Sequence, residues 1–293
     1  MFSSIRSFTI LSLCCLLLCQ SHVLAGQAVI TTPQECFQPE IRIKTSAWLK
    51  GIYFSPDGRL VTQRGRKRLK VWDVDAGQLK ATLTLPDLED VIFSELAFSP
   101  DGKTLAAVLA SKAGLWDTQT WELRAKLIGP GEDNLKYETC GCGSSVSDMI
   151  FSPDGRLLAT LDYRLGTVIL WDGHTGERKA ILHEGIRSIA FSPDAKLLAL
   201  GGYRKAVRIF DLNAGKVVRT FRAERDEIAS VNFSPDGRLL VGSDGKESYV
   251  WEMASGQLKQ KLSKATQATF NPDGRTLATV YEDQLTLWDV SCR

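Results

Sequence analysis

Histidine is scarce in this chain, with His22, His174 and His183 the only three among 293 residues. That removes the commonest general base and most zinc sets, which draw on clustered His and Cys ligands. His174 lies in a Gly-His-Thr-Gly turn and His183 just past an outer strand, both ordinary places for a solvated imidazole. No glycine-rich phosphate loop opens a helix, because no helical periodicity follows the first 25 residues. Charge of one sign is missing too: 36 basic against 34 acidic side chains leave a net charge of +2. A strongly basic nucleic-acid binder and a membrane-surface protein are therefore not expected. Neither a catalytic set, nor a metal site, nor a cofactor is expected from these residues.

What the chain has is repetition. Phe54-Ser55-Pro56-Asp57-Gly58 recurs, with variation, from Phe98, Phe151, Phe191, Phe233 and Phe270. Each copy is followed, 18 to 20 residues after its Phe, by an aromatic-acid pair. The pairs are Trp72-Asp73, Trp116-Asp117, Trp171-Asp172, Phe210-Asp211, Trp251-Glu252 and Trp288-Asp289.

In the fourth copy, Ile189-Ala190-Phe191 alternates as a strand does. Ser192-Pro193-Asp194 then suits a tight turn, with Pro pre-setting the second position and Asp tolerating the third. Five copies close that turn with Gly, where a positive φ is expected; the fourth carries Ala195. The run 196–200 reads as a strand covered on both faces, and strands follow at 207–210 and 216–221. Lys80, Lys126, Arg178, Lys179, Lys259 and Lys261 mark the fourth strands, as suits an exposed sheet edge. Each copy is a small antiparallel sheet that cannot bury its faces alone.

Spacings of 44, 53, 40, 42 and 37 residues between the Phe positions bracket the ~40–45 of one propeller blade. With Phe-Ser-Pro-Asp-Gly, the Trp-Asp pairs and turns such as Thr175-Gly176-Glu177, the sequence resembles the WD-repeat (WD40) family, of an exported bacterial type. The resemblance implies an all-β, six-bladed β-propeller of four-stranded antiparallel blades over 40–293. It departs from the family at the Gly-His pair before the first strand, where His183-Glu184-Gly185 is the nearest approach. It also departs in the turn before the third strand, where Arg66, Ala110, Leu165 and Arg204 stand about where a buried Asp is usual. The tryptophan N–H groups then need other partners.

Residues 1–25 read as a cleaved secretory signal: Arg6 ahead of a short apolar core, then Val23-Leu24-Ala25 as a small-residue cleavage site. Processing leaves a short segment, 26–39, and Cys36, Cys140, Cys142 and Cys292. An even number of cysteines in an exported chain makes disulfides possible. The sixth copy lacks a fourth strand, and residues 40–45 carry an unassigned outer-strand pattern. The N-terminal strand is expected to complete the last blade, as members of the family close in a similar way. That closure brings Cys36 near Cys292, paired as a disulfide or left as two thiols. Residues 129–145 read as a turn-rich loop insertion between the second and third blades.

The basic residues of the turns between second and third strands are the binding candidates: Arg64, Arg66, Lys67, Arg68, Arg164, Arg204 and Lys205. Alternate turns of a blade emerge on one face, where these would form a rim diluted by Asp162, Asp244, Glu224, Asp226 and Glu227. The expected role is an exported, non-catalytic, monomeric scaffold that binds another protein or an acidic polysaccharide, with no membrane attachment after cleavage. The competing reading is an enzyme or small-ligand binder with its site at a central channel or under the 129–145 loop.

Overall fold

The computed structural model describes residues 52–64, 69–84, 93–109, 112–127, 146–183, 185–224 and 227–290. The chain divides into Met1–Arg42 and Ile43–Arg293, and all described residues belong to the second unit. The expected closing strand at 40–45, the 129–145 loop, and Cys36 and Cys292 lie outside the described residues.

The described residues are all-β and form six antiparallel sheets, five of four strands and one of three. The first sheet comprises β1 (Ile52–Phe54), β2 (Leu60–Arg64), β3 (Leu69–Asp73) and β4 (Gln78–Leu83). The second has β5 (Phe93–Phe98), β6 (Thr104–Leu109), β7 (Lys112–Asp117) and β8 (Leu123–Leu127). The third has β9 (Val146–Phe151), β10 (Leu157–Asp162), β11 (Thr167–Asp172) and β12 (Arg178–His183). The fourth has β13 (Ile186–Phe191), β14 (Leu197–Gly202), β15 (Ala206–Asp211) and β16 (Lys216–Arg222). The fifth has β17 (Ser230–Phe233), β18 (Leu239–Ser243), β19 (Glu247–Glu252) and β20 (Leu258–Ser263). The sixth has β21 (Gln267–Phe270), β22 (Thr276–Tyr281) and β23 (Gln284–Asp289). Within each sheet the strands lie in chain order, so every connection is a local hairpin.

The repeated turn is held by its serine and aspartate. In the first copy Ser55 Oγ donates to Asp57 Oδ1 at 2.5 Å and accepts the Leu60 amide at 2.9 Å. Asp57 Oδ1 also accepts the Arg59 amide, and the Gly58 amide closes the turn on the Ser55 carbonyl. The arrangement returns at Ser99, Ser152, Ser192 and Ser234. The Ser hydroxyl, first among the causes, holds the Asp57, Asp101 and Asp194 carboxyls below the ordinary aspartate value. Ala195 takes the glycine position with φ of 56°, the left-handed backbone expected there.

Burial runs between sheets rather than within them. Leu198 and Leu200 of β14 pack toward the third sheet with Leu161, Val168 and Leu170, whereas Ala199 faces the fifth. This is why the second strands read as unbroken apolar runs: both of their faces are covered. In the second to fifth sheets the aromatic of the pair reaches the preceding sheet, as Trp116 does beside Leu69 and Val71, and Trp251 beside Val207 and Phe221. A register shift just before that aromatic recurs between third and fourth strands in five sheets. Each fully buried Leu or Val contributes about 1.5–3 kcal/mol, so the stacked faces carry most of the stability.

Two expectations about polar groups meet the structure differently. Trp171 Nε1 donates to Thr160 Oγ1 and Trp288 Nε1 to Thr279 Oγ1, each at 2.9 Å, so a threonine hydroxyl on the neighbouring strand is the partner that was needed. The turns before the third strands, however, do not all lack an acid. Asp162 is buried in the third sheet's turn and its Oδ1 accepts the Arg164 and Leu165 amides. Asp244 does the same in the fifth for Lys246 and Glu247. In the third sheet the acid stands three residues before Leu165, the position compared, because it caps the turn from its first residue.

Candidate partner-binding surface

The sequence candidates lie in the turns between second and third strands, at one end of the sheets. Arg64 ends β2, with its backbone in register with Leu69; its side chain and Arg66, Lys67 and Arg68 lie outside the described residues. Arg164 sits in the β10–β11 turn, with its amide on Asp162. Arg204 and Lys205 occupy the β14–β15 turn with φ of 75° and 57°.

The third- and fourth-sheet turns converge on a residue the sequence reading passed over, Arg187 at the start of β13. Its Cζ lies 4.8 Å from the centre of the Tyr203 ring and 5.5 Å from that of Tyr163. Its Nη1 donates to the Tyr163 carbonyl at 3.3 Å and its Nη2 to the Tyr203 hydroxyl. Glu227 Oε1 lies 2.9 Å from Nε, an ion pair whose N–H is not aimed along a hydrogen bond. The guanidinium thus lies against two aromatic rings and pairs with a carboxylate, a combination of contacts that lysine cannot reproduce.

Backbones pressed together make this cluster rigid. Ile186 donates to Gly166, Tyr203 to Gly185 and Ile228 to Gly202. A Cβ on Gly202 would come 2.2 Å from the Gly185 carbonyl oxygen, and one on Gly166 2.4 Å from the Gly185 Cα. Only glycine lets these three segments close up. Around the grip, Tyr163, Leu165 and Tyr203 remain 41%, 51% and 43% exposed. A sequence signal for the pair existed: Tyr163 and Tyr203 each stand 12 residues after the Phe of their copies.

The acids expected to dilute the rim are mostly engaged. In the fifth sheet the Tyr249 hydroxyl donates to Glu247 at 2.9 Å and to Asp244 at 3.1 Å. Burial first, then these two carboxylates, pushes the Tyr249 phenol well above the ordinary tyrosine value. Lys261 bridges Glu247 and Glu224. An open cleft of about 470 Å³ lies nearby, lined by Gly245, Lys246, Glu247, Ser263, Lys264 and Tyr281.

No catalytic pair forms around the two described histidines. His174 Nδ1 is 3.0 Å from Arg124 Nη1, and His183 Nδ1 is 3.1 Å from Thr167 Oγ1. Asp148 on β9 has its carboxyl pushed up by burial. Among the described residues no three His, Cys, Asp or Glu side chains gather as a metal site would require.

Comparison with known proteins agrees with the repeat. The family model described as "WD domain, G-beta repeat" matches residues 134–172, and that of the "Anaphase-promoting complex subunit 4 WD40 domain" matches 163–236. A guanine nucleotide-binding protein subunit beta from Zea mays is 27% identical over 167 residues, covering 49% of this chain and 44% of that protein. The WD repeat-containing protein SL1-17 of Schistosoma mansoni is 33% identical over 112 residues, 37% of this chain and 36% of its own length. A U3 small nucleolar RNA-associated protein 21 homolog from Schizosaccharomyces pombe is 35% identical over 89 residues, 28% of this chain and 10% of that protein. The chain therefore spans less than half the length of these curated relatives. The six serial copies, the serine-aspartate turn that five of them share and these matches support WD40 repeats in this chain.

Proposed function

We propose that this chain is an exported, non-catalytic six-bladed propeller that serves as a docking scaffold for another protein. The observation that carries the reading is the rigid, partly exposed Tyr163–Arg187–Tyr203 grip, on a fold whose family generally binds proteins rather than catalysing reactions. Residues 1–25 act as the export signal, and residues 40–45 pair with β23 to complete the sixth sheet. Support for that closure comes from β23, where Leu285 and Leu287 are 64% and 65% exposed in a strand otherwise patterned like its buried counterparts. Cys36 and Cys292 then staple the chain ends.

The test is isolation of the protein from its native host after chemical cross-linking. A mature N-terminus at Gly26, a Cys36–Cys292 peptide under non-reducing conditions, and a second protein cross-linked to the turns at 163–165 or 203–205 are the expected results. An unprocessed cytoplasmic chain, or a chain with no cross-linked protein, would overturn the reading.

A further inference from the structure

We infer that the cleft between the fifth and sixth sheets binds a small dianion, a dicarboxylate or a phosphate monoester, between Lys246 and Lys264; this goes beyond the scaffold reading and does not depend on it. The cleft exists because three glycines at one sheet boundary are replaced at another. Between the third and fourth sheets the Ile186 amide donates to the Gly166 carbonyl at 3.0 Å, and between the fifth and sixth the Ala265 amide donates to the Lys246 carbonyl at 2.9 Å. That bond sets the correspondence. Lys246 takes the place of Gly166, and Lys264, left-handed at φ of 53°, that of Gly185 at 65°. Tyr281 ends β22 as Gly202 ends β14. A Cβ at Gly202, Gly166 or Gly185 would come 2.2, 2.4 or 2.9 Å from its nearest neighbour, so that boundary closes only with glycine. At the fifth and sixth sheets the same three places carry side chains, and all three line the open cleft of about 470 Å³ with Gly245, Glu247 and Ser263. Small-molecule clefts run from about 300 to 1,000 Å³.

The charges left over in the lining are the two lysines. Glu247, the acid of the lining, pairs with Lys261 at 3.1 Å and accepts the Tyr249 hydroxyl. Among the described residues, neither the Lys246 nor the Lys264 ammonium has an acid or acceptor against it. Two ammonium groups at one cleft call for two negative charges, and lysine meets phosphate or carboxylate oxygens as a point charge. Ser263 and Tyr281 bring hydroxyl donors to the same lining. The rim is different. Asp244 caps the Lys246 and Glu247 amides and takes the Tyr249 hydroxyl, and Glu224 pairs with Lys261. Glu282 and Asp283 stand exposed in the turn after Tyr281, while Arg225 and Asp226 lie outside the described residues. Over lining and rim together, Glu224, Asp244, Glu247, Glu282 and Asp283 outnumber Lys246, Lys261 and Lys264 by five to three. That surplus fixes the ligand's size. A polyanion would lie across the rim acids and be repelled. A small dianion seated between the ammonium groups meets those first, with the exposed acids screened by salt over a Debye length of about 8 Å.

The experiment follows backbone amide shifts of the isotope-labelled full-length chain by NMR while succinate or inorganic phosphate is added at constant ionic strength. Saturable shifts at Gly245, Lys246, Ser263, Lys264 and Tyr281 are expected with at least one of the two, and the tighter one assigns the ligand as carboxylate or phosphate. Acetate, with a single charge, should bind about fivefold more weakly or worse. Lys246→Gln/Lys264→Gln keeps both stems, removes both charges and should lose about tenfold, whereas Lys80→Gln/Lys216→Gln on outer strands should lose nothing. Both cleft lysines are exposed, so their variant should melt with wild type; if it does not, the Lys246→Gln single variant decides. Shifts that never saturate, that spread to lysines elsewhere, or that survive removal of both charges would overturn the inference. So would tighter binding of heparin at these amides than of either dianion, because the rim acids would then set no limit on size. Tighter binding of arginine amide would overturn it as well, since the acids rather than the lysines would choose the ligand. A macromolecular partner found elsewhere, or not found at all, leaves these shifts unchanged, so the two readings fail separately.

Discussion

The fourth and sixth sheets carry nearly the same third strand and bury it to opposite degrees. In β15, Val207 and Ile209 are essentially inaccessible and Phe210 is buried. In β23, Leu285 and Leu287 are mostly exposed and Trp288 is 37% exposed. Both strands pair with their second strand in full register, six residues to six. What differs is that β16 lies along β15, whereas no described strand lies along β23. An apolar pattern therefore states what a strand can bury, and the outer strand and the next sheet decide whether it does.

Removing tryptophans should expose that difference most strongly. Trp251 stacks on Tyr249 at 5.7 Å and packs on Phe221, so Trp251→Ala is expected to cost about 4 kcal/mol in urea unfolding. If residues 40–45 close the sixth sheet as proposed, Trp288→Ala is expected to cost roughly half as much, and an Ile41→Asp/Ile43→Asp background to cut that to under about 1 kcal/mol. A Trp288→Ala cost that is unchanged by the background would show that residues 40–45 do not cover β23.

The turns give a smaller contrast. Ser192 is buried, binds Asp194 at 2.6 Å and accepts the Leu197 amide, whereas Asn271 stands at the matching place in the sixth sheet. Ser192→Ala should cost about 1–2 kcal/mol, and Asn271→Ala clearly less, by thermal melts at neutral pH. The acid limb sharpens it. Asp194 has its folded value lowered, chiefly by Ser192, so its contribution is complete above the ordinary aspartate value and is lost as pH falls through the lowered one. Melting temperature should therefore fall more steeply below pH 4 in wild type than in Ser192→Ala. Equal slopes would remove the serine from the explanation.

The smallest effect is at Ala195, where Ala195→Gly should stabilise the protein by about 1 kcal/mol by relieving a left-handed alanine. A lower melting temperature would mean that the gain in unfolded-chain freedom outweighs that relief.

Much of this was legible in the residues. The four-strand repeat, the Ser-Pro-Asp turn, the left-handed position at Ala195 and the lack of a fourth strand after the sixth Trp-Asp pair among the described residues all follow from side-chain period and turn chemistry within one copy. Capping by Asp162 was missed because the expectation was placed at Leu165, three residues late in a turn whose length varies. Of the binding candidates, Arg164, Arg204 and Lys205 do lie beside the exposed tyrosines. Arg187 escaped notice since a lone arginine on an inner strand carries no pattern of its own.

By itself, the sequence determined what each copy becomes, because strand alternation and tight turns depend on neighbours a few residues away. Tertiary structure alone decided which copies are buried and where Tyr163, Arg187, Tyr203 and Glu227 meet. Those outcomes depend on sheets pressing Gly166, Gly185 and Gly202 together across three separate segments. No local pattern encodes a contact of that kind.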